Sequence, residues 1–208
     1  MQVIGALQQC GAPLLLARRE ARSGLVQQSE PEGMSAITVR SATEADIAAI
    51  TAIYQPAVLN GTASFELEPP DQAEMHRRFH ALTDAGFPYL VAEADGAILG
   101  YAYAGAYRPR PAYRFSVENS IYVSTDAHRR GVGRVLLEAL IAVCTQKGFR
   151  QMIAVIGDSA QSGSIGLHRS MGFRFSGTVH SVGYKHGRWL DSVIMQLPLG
   201  PGDTVPPQ

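Results

Sequence analysis

The segment Val117–Arg134, VENSIYVSTDAHRRGVGR, most constrains how this 208-residue chain can fold. Its first half is an apolar stretch with one acidic residue, Glu118, and it runs into a basic turn that contains two glycines. Because Gly131 and Gly133 carry no β-carbon, the turn's backbone can pass close to a bound anion. Residues 132–147 have helical spacing, so the first free amides of that helix would point at the same anion. The segment predicts a strand, a phosphate-binding turn and a helix.

Positive charge gathers at this turn. Arg129, Arg130 and Arg134 lie beside the glycines, and a helix dipole adds roughly half a positive charge at its first turn. A glycine turn next to arginines also occurs in dinucleotide-binding folds and at many ordinary helix starts. The function of this turn therefore has to be inferred from the other elements of the chain.

Composition narrows the class of protein. A chain of 208 residues can bury one substantial core, and its size favours a single domain. Its 18 basic and 18 acidic residues cancel, so we expect neither nucleic acid nor an anionic membrane as a partner.

Two cysteines, Cys10 and Cys144, indicate neither a disulfide framework nor a metal cluster. We therefore expect no metal cofactor and a cytoplasmic location. Residues 1–16 lack a basic start and fall short of the ~20 apolar residues that a membrane helix needs. We expect no targeting signal there.

The chain becomes regular only at Ile37. Residues 1–35 follow no hydrophobic period, which predicts an N-terminal extension that is disordered or absent from the native protein, with Met34 as a possible natural start. Residues 36–199 are expected to form the domain, and the proline- and glycine-rich residues 200–208 a loose tail.

Local signals predict the element order β-α-α-β-β-β-α-β-α-β-β. Thr43 and Asp46 have the spacing of a capping box, and Asp95-Gly96 and His186-Gly187 are hairpin turns. The expected strands are 37–40, 89–94, 97–107, 115–123, 152–156, 173–182 and 189–197, and the expected helices are 43–59, 71–85, 132–147 and 160–171. This order describes an α/β fold, a mixed sheet with helices on both faces.

The order, with a glycine turn opening the helix after the fourth strand, resembles the GCN5-related N-acetyltransferase (GNAT) superfamily. Four segments are similar to its phosphinothricin and methionine-sulfone acetyltransferase branch: TASFE at 62–66, YRPRPAYRFSVENSIYV at 107–123, SIGLH at 164–168 and VGYKHGRWLD at 182–191. The resemblance covers residues 37–199. It implies acetyl transfer from acetyl-CoA to the amino group of a small amino-acid-like substrate such as phosphinothricin, methionine sulfone or methionine sulfoximine.

The resemblance also assigns the residues that bind the cofactor. They come from the end of the fourth strand, from the turn and from the start of a later helix: Ile121, Tyr122, Val123, His128, Arg129, Arg130, Gly131, Val132, Gly133, Arg134 and Gln161. Two positions differ from the superfamily pattern. His128 stands where Gln or Arg usually opens the phosphate loop, and Gln161 stands where Asn usually contacts the cofactor.

Glu118 and His168 are the expected catalytic residues. An aliphatic ammonium must lose a proton before its nitrogen can attack a thioester, and the resemblance gives that task to Glu118. An apolar strand raises the pKa of a carboxyl, whereas a nearby arginine lowers it, and the sequence leaves the balance open. His168 stands where the superfamily often has a tyrosine that protonates the leaving thiolate. It could donate a proton, bind substrate or be a core histidine. The alternative for Glu118 is a solvent-facing carboxylate.

Arginines in a proline-stiffened loop are expected to select the substrate. Guanidinium groups bind carboxylate, phosphinate or sulfone oxygens in a forked geometry, which suits Arg108 and Arg110 with Tyr113 beside them. By resemblance, Phe65 packs against the aliphatic part of the substrate and Ser120 hydrogen-bonds near its head group. The alternative for the arginines is a solvated hairpin face.

The last hairpin contains Trp189, the only tryptophan in the chain. We expect its ring to fill the core, since buried aromatic rings are common. A dimer contact or a substrate lid is the alternative. Related enzymes commonly pair, so the resemblance implies a homodimer.

Other classes of function remain. A non-catalytic acyl-CoA sensor would not need Glu118 or the arginine loop. A Rossmann enzyme would have its glycine turn after the first strand, with an acidic ribose contact further on. An acetyltransferase for a protein N-terminus or a polyamine keeps the chemistry, but a polyamine site needs acidic groups where this loop is basic.

Overall fold

The computed structural model of this protein describes residues 36–207. Its elements alternate as the sequence predicts, in the order β-α-α-β-β-β-α-β-α-β-β. They are β1 (Thr38–Ser41), α1 (Ile47–Leu59), α2 (Gln72–Thr83), β2 (Tyr89–Ala94), β3 (Ala97–Ala106), β4 (Ser116–Val123), α3 (Val132–Gln146), β5 (Gln151–Gly157), α4 (Ser162–Ser170), β6 (Arg174–Lys185) and β7 (Arg188–Pro198). The predicted extension 1–35 lies outside the described residues.

Short-range signals act as expected at the element ends. Asp46 accepts hydrogen bonds from the backbone N–H and the hydroxyl of Thr43, at 2.8 and 3.0 Å, before α1 begins. Both predicted hairpin turns have the positive φ angles that such turns require: 52° and 76° at Asp95-Gly96, and 51° and 73° at His186-Gly187. The β6 strand runs three residues beyond its predicted end, up to that second turn.

The seven strands form one mixed sheet in the order β1-β2-β3-β4-β5-β7-β6. Strands β4 and β5 are parallel, and the other neighbours are antiparallel. A parallel pair cannot be joined by a tight turn, so the chain crosses from β4 to β5 through α3. This crossover sets the start of α3 beside the end of β4.

Each face of the sheet packs against its own helices. One face buries a core under α3, to which Leu136, Leu137, Leu140 and Cys144 contribute fully buried side chains. The other face packs under α1 and α2, where apolar side chains meet a group of tyrosines: Ile47, Ile50, Tyr54, Val58, Met75, Phe79, Tyr89, Val91 and Tyr101. The prediction of an α/β fold with helices on both faces is confirmed.

The last hairpin differs from its prediction. Trp189 is 62% exposed, so the interpretation of this ring as a core residue is wrong. Its ring packs edge-on against Tyr184 at 5.3 Å between centroids, on the outermost strand pair of the sheet. Phe175, Val179 and Val182 of β6 are exposed as well. The sheet ends there, and no element of residues 36–207 packs over these side chains.

Beyond β7, residues 200–207 turn back toward the start of β5. The Pro206 carbonyl accepts a hydrogen bond of 3.3 Å from Arg150, and Gly202 is buried. Among the helices of residues 36–207, none has the length and the apolar character that crossing a bilayer requires.

We predict that Leu140→Ala lowers the free energy of unfolding by about 2–5 kcal/mol, because it leaves a cavity in a fully buried part of α3. Urea denaturation measures this difference. Leu67→Ala is the matched control, since Leu67 is 67% exposed and its truncation should change stability by less than about 0.5 kcal/mol. Equal effects of the two substitutions would contradict the assignment of the core.

Candidate active site

Strands β4 and β5 separate partway along their length. They pair over four positions, from Ser116 with Gln151 to Asn119 with Ala154. Beyond this point β4 still pairs with β3 up to Val123, and β5 still pairs with β7 up to Gly157. The facing edges of residues 120–123 and 155–157 therefore have no strand partner in the described chain. Their backbone groups can pair with an extended ligand as if it were another strand.

The turn before α3 opens toward the end of this gap. Gly131 is the N-cap of α3 with φ 85°, in the left-handed region, and a β-carbon there would contact nothing within 4 Å. The amides of Val132 and Gly133, the first two residues of α3, have no carbonyl partner inside the helix. These donors and the open space at Gly131 make the turn suitable for a phosphate group.

Gly133 has a second reason to lack a side chain. A β-carbon at this position would come within 3.3 Å of Leu167 Cδ2 and 3.8 Å of Val123 Cγ2. The glycine therefore lets α3 pack closely against α4 and the end of β4.

The predicted phosphate residues differ in what they contact. His128 is exposed, and its Nε2 lies 3.2 Å from the Val123 carbonyl, so its ring holds the turn against the end of β4. Arg129 has φ 62°, which turns the backbone ahead of the glycine. Arg129 and Arg134 are exposed and Arg130 is half-buried, so their charges surround the turn.

Side chains of β4 alternate between the two faces of the sheet. Tyr122 packs edge-on against Tyr54 of α1 at 4.8 Å between ring centroids, which assigns its face to α1 and α2. Glu118 and Ser120 share that face by their spacing of two. Ile121 and Val123 pack against the core under α3, and Asn119 lies on that opposite face. The structure therefore brings Glu118, Ser120 and Tyr122 together and separates them from Asn119.

Glu118 lies between two opposing influences. Its side chain is 35% exposed, and partial burial raises the pKa of its carboxyl above the ordinary value of 4.5. The guanidinium of Arg108, with Nη1 at 3.9 Å from Oε2, lowers the pKa of the same carboxyl. Burial has the larger effect. This answers the question that the sequence left open.

The arginine loop is built on aromatic rings. The guanidinium of Arg108 lies 4.3 Å from the centre of the Tyr107 ring, and that ring packs edge-on against Tyr113. Arg110 is exposed at the start of the short 3₁₀ helix Pro111–Tyr113. The loop thus brings Arg108 to Glu118 and leaves Arg110 facing solvent.

His168 lies apart from Glu118, on the face under α3. It is 4% exposed, and burial lowers the pKa of its imidazole, which favours the neutral ring. Nδ1 lies 2.8 Å from the Ser164 carbonyl, which can only accept, so Nδ1 carries the proton. Nε2 lies 3.2 Å from the amide of Asn119. If the Asn119 amide turns its Nδ2 to that nitrogen, a buried donor that is otherwise unpaired gains an acceptor.

A cavity of about 250 Å³ lies between α2 and the sheet, on the same face as Glu118. Tyr103, in its wall, lies directly opposite Ser120 in the pairing of β3 with β4. Arg78, also in the wall, pairs with Glu66 at 2.7 Å. Its other lining residues are Tyr54, Met75, Arg77, Ala81, Leu82, Tyr89 and Tyr101.

Phe65 and Gln161 meet at the far end of β5. Phe65 lies over Gly157, where a β-carbon would come within 2.9 Å of its ring. The side-chain amide of Gln161 donates a 2.9 Å hydrogen bond to Thr62 Oγ1. Gln161, expected to bind the cofactor, thus also holds the segment that carries Phe65.

Residues 39–194 match the family model described as an acetyltransferase (GNAT) domain. The chain belongs to the GNAT acetyltransferase family. The resemblance seen in its motifs is confirmed.

Curated relatives fall in the branch that the four segments indicate. The chain is 55% identical to the phosphinothricin N-acetyltransferase of Alcaligenes faecalis over 173 residues, which cover 83% of this chain and 88% of the relative. It is 45% identical to the L-methionine sulfoximine/L-methionine sulfone acetyltransferase of Pseudomonas paraeruginosa over 170 residues, 81% of this chain and 98% of the relative.

A solved GNAT structure has the same fold. The crystal structure of a phosphinothricin acetyltransferase from Sinorhizobium meliloti in complex with AcCoA superposes with a TM-score of 0.81 at 51% identity. The match covers 83% of this chain and 93% of that one. The prediction of the GNAT fold is confirmed.

Several residues of this GNAT site were not identified from the sequence. Asn119, Tyr103, Glu66, Arg78 and Lys185 each contact a predicted site residue or its neighbour. Asn119 could have been found, since it follows Glu118 in the strand. A tyrosine or arginine that reaches the site from a separate element cannot be recognised from the sequence pattern around it.

We predict that Gly131→Ala weakens acetyl-CoA binding about tenfold or more, because a β-carbon strains the left-handed backbone of the turn by roughly 1–2 kcal/mol. Isothermal titration calorimetry measures the change. Gly86→Ala is the matched control: Gly86 has φ 81°, its β-carbon would also meet open space, and it lies in the loop after α2. The site assignment fails if both variants bind acetyl-CoA like the wild type.

Proposed function

We propose that this protein transfers an acetyl group from acetyl-CoA to the primary amine of a small amino acid of the phosphinothricin, methionine sulfone or methionine sulfoximine type. One observation carries the proposal: the half-buried carboxylate of Glu118, with its raised pKa and Arg108 beside it, stands where β4 begins to separate from β5. The acetyl-CoA complex of the Sinorhizobium relative and the names of the curated relatives support it.

The chain's own groups suit acetyl-CoA. The open strand edges of residues 120–123 and 155–157 offer N–H and carbonyl groups to its two amides, and the amides of Val132 and Gly133 with Arg129 suit its diphosphate. Bound there, acetyl-CoA would supply the activated thioester. A backbone N–H near Tyr122 or Val123 would donate to the carbonyl oxygen as it gains charge.

Glu118 would act as the general base. An amino acid's ammonium has no lone pair at neutral pH, and the raised pKa of Glu118 moves this carboxylate closer to the working pH of a base. Arg108 keeps it ionised and can bind an acidic group of the acceptor. We further propose that Arg110, Tyr113, Phe65 and Ser120 form the rest of the acceptor site.

His168 is best explained as a core histidine. Both of its ring nitrogens contact protein atoms, and it lies on the face opposite to Glu118. A thiolate has a pKa near ~8.5, so it can leave with little help from an acid. Cys144, which is buried and has its thiol pKa raised to about 12, offers no nucleophile for a covalent route. Direct attack by the amine is therefore the simplest path.

Two alternative functions predict different results in an activity assay. An acyl-CoA sensor would bind acetyl-CoA without turnover, whereas an enzyme for protein N-termini would acetylate peptides. A thiol-release assay with phosphinothricin, methionine sulfone, methionine sulfoximine and an alanine-terminated peptide separates them. Thiol release with the peptide alone would overturn the proposed substrate class.

We predict that Glu118→Gln lowers kcat by about 10²–10⁴-fold, because the amide cannot accept the proton. Thiol release under saturating acetyl-CoA measures the loss. Glu138→Gln, on the exposed face of α3, is the matched control and should keep full turnover.

The pH profile gives a second check on Glu118. The acid limb of the kcat/KM profile, where activity falls as the pH is lowered, reports the pKa of the base in the free enzyme. We expect this pKa to lie above 4.5, the ordinary value of a carboxyl. Since Arg108 lowers the pKa of Glu118, Arg108→Met should move this limb to higher pH. Full activity of Glu118→Gln, or a limb that stays fixed in Arg108→Met, would contradict the role of Glu118.

We also propose a homodimer that buries the apolar outer face of the β6–β7 hairpin, formed by Phe175, Val182, Tyr184 and Trp189. Large exposed apolar patches in soluble proteins mark interaction sites, and an uncovered edge strand favours pairing with another chain. The same hairpin in a second copy would present the same residues, which suits a two-fold contact.

We predict that the wild type elutes with twice the 22.4 kDa chain mass in size-exclusion chromatography with light scattering, and that Val182→Glu elutes as a monomer. A charge in a desolvated apolar contact is unfavourable. Val205→Glu, an exposed valine in the C-terminal tail, is the control. The fluorescence of Trp189 should shift to the red on dissociation. A wild type of single-chain mass would contradict the dimer.

We place the catalytic domain in residues 36–199, which the match over residues 39–194 supports, and regard residues 1–35 as an extension. The use of acetyl-CoA and the unpaired thiol of Cys144 support a cytoplasmic location. The zero net charge supports small molecules rather than nucleic acid as partners.

A further inference from the structure

The 61–66 segment, between α1 and α2, is held by elements far away in the sequence. The Gly61 carbonyl lies 3.2 Å from Nε2 of His186. Thr62 Oγ1 accepts the hydrogen bond from Gln161, and the Ser64 carbonyl accepts one of 2.7 Å from Lys185 Nζ. Two of these three contacts come from β6 and the turn that follows it. The position of the segment is therefore set by the far end of the sheet.

Lys185 is an unusual residue for this chain. It is one of two lysines in 208 residues, and it is only 4% exposed. A buried ammonium is unfavourable unless it is paired, and here it donates to Ser64 while the carboxylate of Glu66 lies near enough to stabilise its charge. Glu66 is in turn fixed by Arg78 and by the hydroxyl of Tyr54, at 2.7 and 2.9 Å. The buried and paired ammonium of Lys185 thus links β6 to the 61–66 segment.

Phe65 sits on two glycines. A β-carbon at Gly183 would come within 2.5 Å of its Cε2, and one at Gly157 within 2.9 Å of its Cε1. Real β-carbons do not approach other atoms so closely, so a larger residue at Gly183 would displace the ring, and one at Gly157 would also press on the Thr62 carbonyl oxygen, 2.4 Å away. Gly183 has an ordinary φ, and the three atoms nearest to such a β-carbon all belong to the Phe65 ring, so at this position the backbone adds no restriction.

A bulge in β6 presents these residues to the segment. The register with β7 shifts between Val179 and Gly183, and Ser181 in the bulge has φ 51°. Asp191 of β7 accepts a 3.0 Å hydrogen bond from the backbone N–H of Ser181 and so fixes the bulge. Bulges of this kind re-aim the side chains that follow them. Here, those positions are Gly183 and Lys185.

We propose that Gly183 and Lys185 are positioning residues for the acceptor amino acid: Gly183 sets the place of the Phe65 ring, and Lys185 sets the backbone that carries it. This inference rests on the proposed function, in which Phe65 contacts the acceptor. Gly157, the last residue of β5, lies on the same face as Glu118 by strand alternation, and Phe65 covers it. A shift of the ring therefore changes the acceptor side of the site and leaves the turn before α3 unchanged.

Gly183→Ala tests the role of the ring. We expect it to raise the KM for methionine sulfone about tenfold or more, with the KM for acetyl-CoA unchanged, because a displacement of about 1 Å is enough to impair a binding site. Gly177→Ala is the matched control: it is a second β6 glycine with ordinary φ, and its β-carbon would meet nothing within 4 Å.

A double variant separates displacement of the ring from general damage. Leucine is smaller than phenylalanine, so Gly183→Ala with Phe65→Leu should have the acceptor KM of Phe65→Leu alone. An acceptor KM in Gly183→Ala equal to that of Gly177→Ala would overturn the role of Gly183. Equal rises in the KM for acceptor and for acetyl-CoA would overturn it as well.

Lys185→Met tests the role of the ammonium without any acceptor. The methionine keeps the length of the side chain and removes the donor to Ser64, so amide hydrogen exchange of the 61–66 segment should become at least tenfold faster than in Lys147→Met, which changes the other lysine, on the surface. Unchanged exchange would overturn the role of Lys185. A wild type without activity on any acceptor would instead overturn the proposed function, and the exchange experiment would still decide the role of Lys185.

Discussion

The separation of β4 from β5 is the constraint on which the rest of this site depends. Because the two strands are parallel, a helix must join them, and its free amides come to lie at the end of β4. Because they pair over four positions, the backbone beyond Asn119 and Ala154 keeps its hydrogen-bonding groups for a ligand. The anion turn and the open strand edges thus arise from one feature of the sheet.

Alternation along β4 divides the chemistry between the two faces of the sheet. Glu118 and Ser120 face α1 and α2, on the side with Arg108 and the tyrosines, which we propose as the acceptor side. Asn119, between them, faces α3 and α4 and pairs with His168. One strand thus places the proposed base on one face and the contact with His168 on the other. A shift of register by a single residue would exchange the two faces, so the antiparallel pairing with β3 over seven positions maintains this division.

The sequence predicts the elements well because their signals are local. Capping residues, hairpin glycines and hydrophobic periods lie within a few positions of what they determine, and the element order was correct. The environments of Glu118 and Arg108 needed the structure, since burial and charge act on the same carboxyl in opposite directions. Trp189 was misjudged for a related reason: the pattern of a strand does not show whether another element packs over its face, and none of the described elements covers Trp189 on β7.

The 61–66 segment shows how far the position of a side chain can depend on distant residues. Phe65 is near Glu66 and Thr62 in the sequence, yet its position is fixed by Gly157 and Gly183. Two GNAT enzymes with the same base and the same arginine loop could therefore differ in their acceptor if the β6 bulge placed the residue under the Phe65 ring differently. The proposed base lies on β4 in the middle of the sheet, whereas the residues that position the Phe65 ring lie partly on β6 at its edge. The acceptor preference that we propose can therefore change while the geometry of Glu118 and of the turn before α3 is kept.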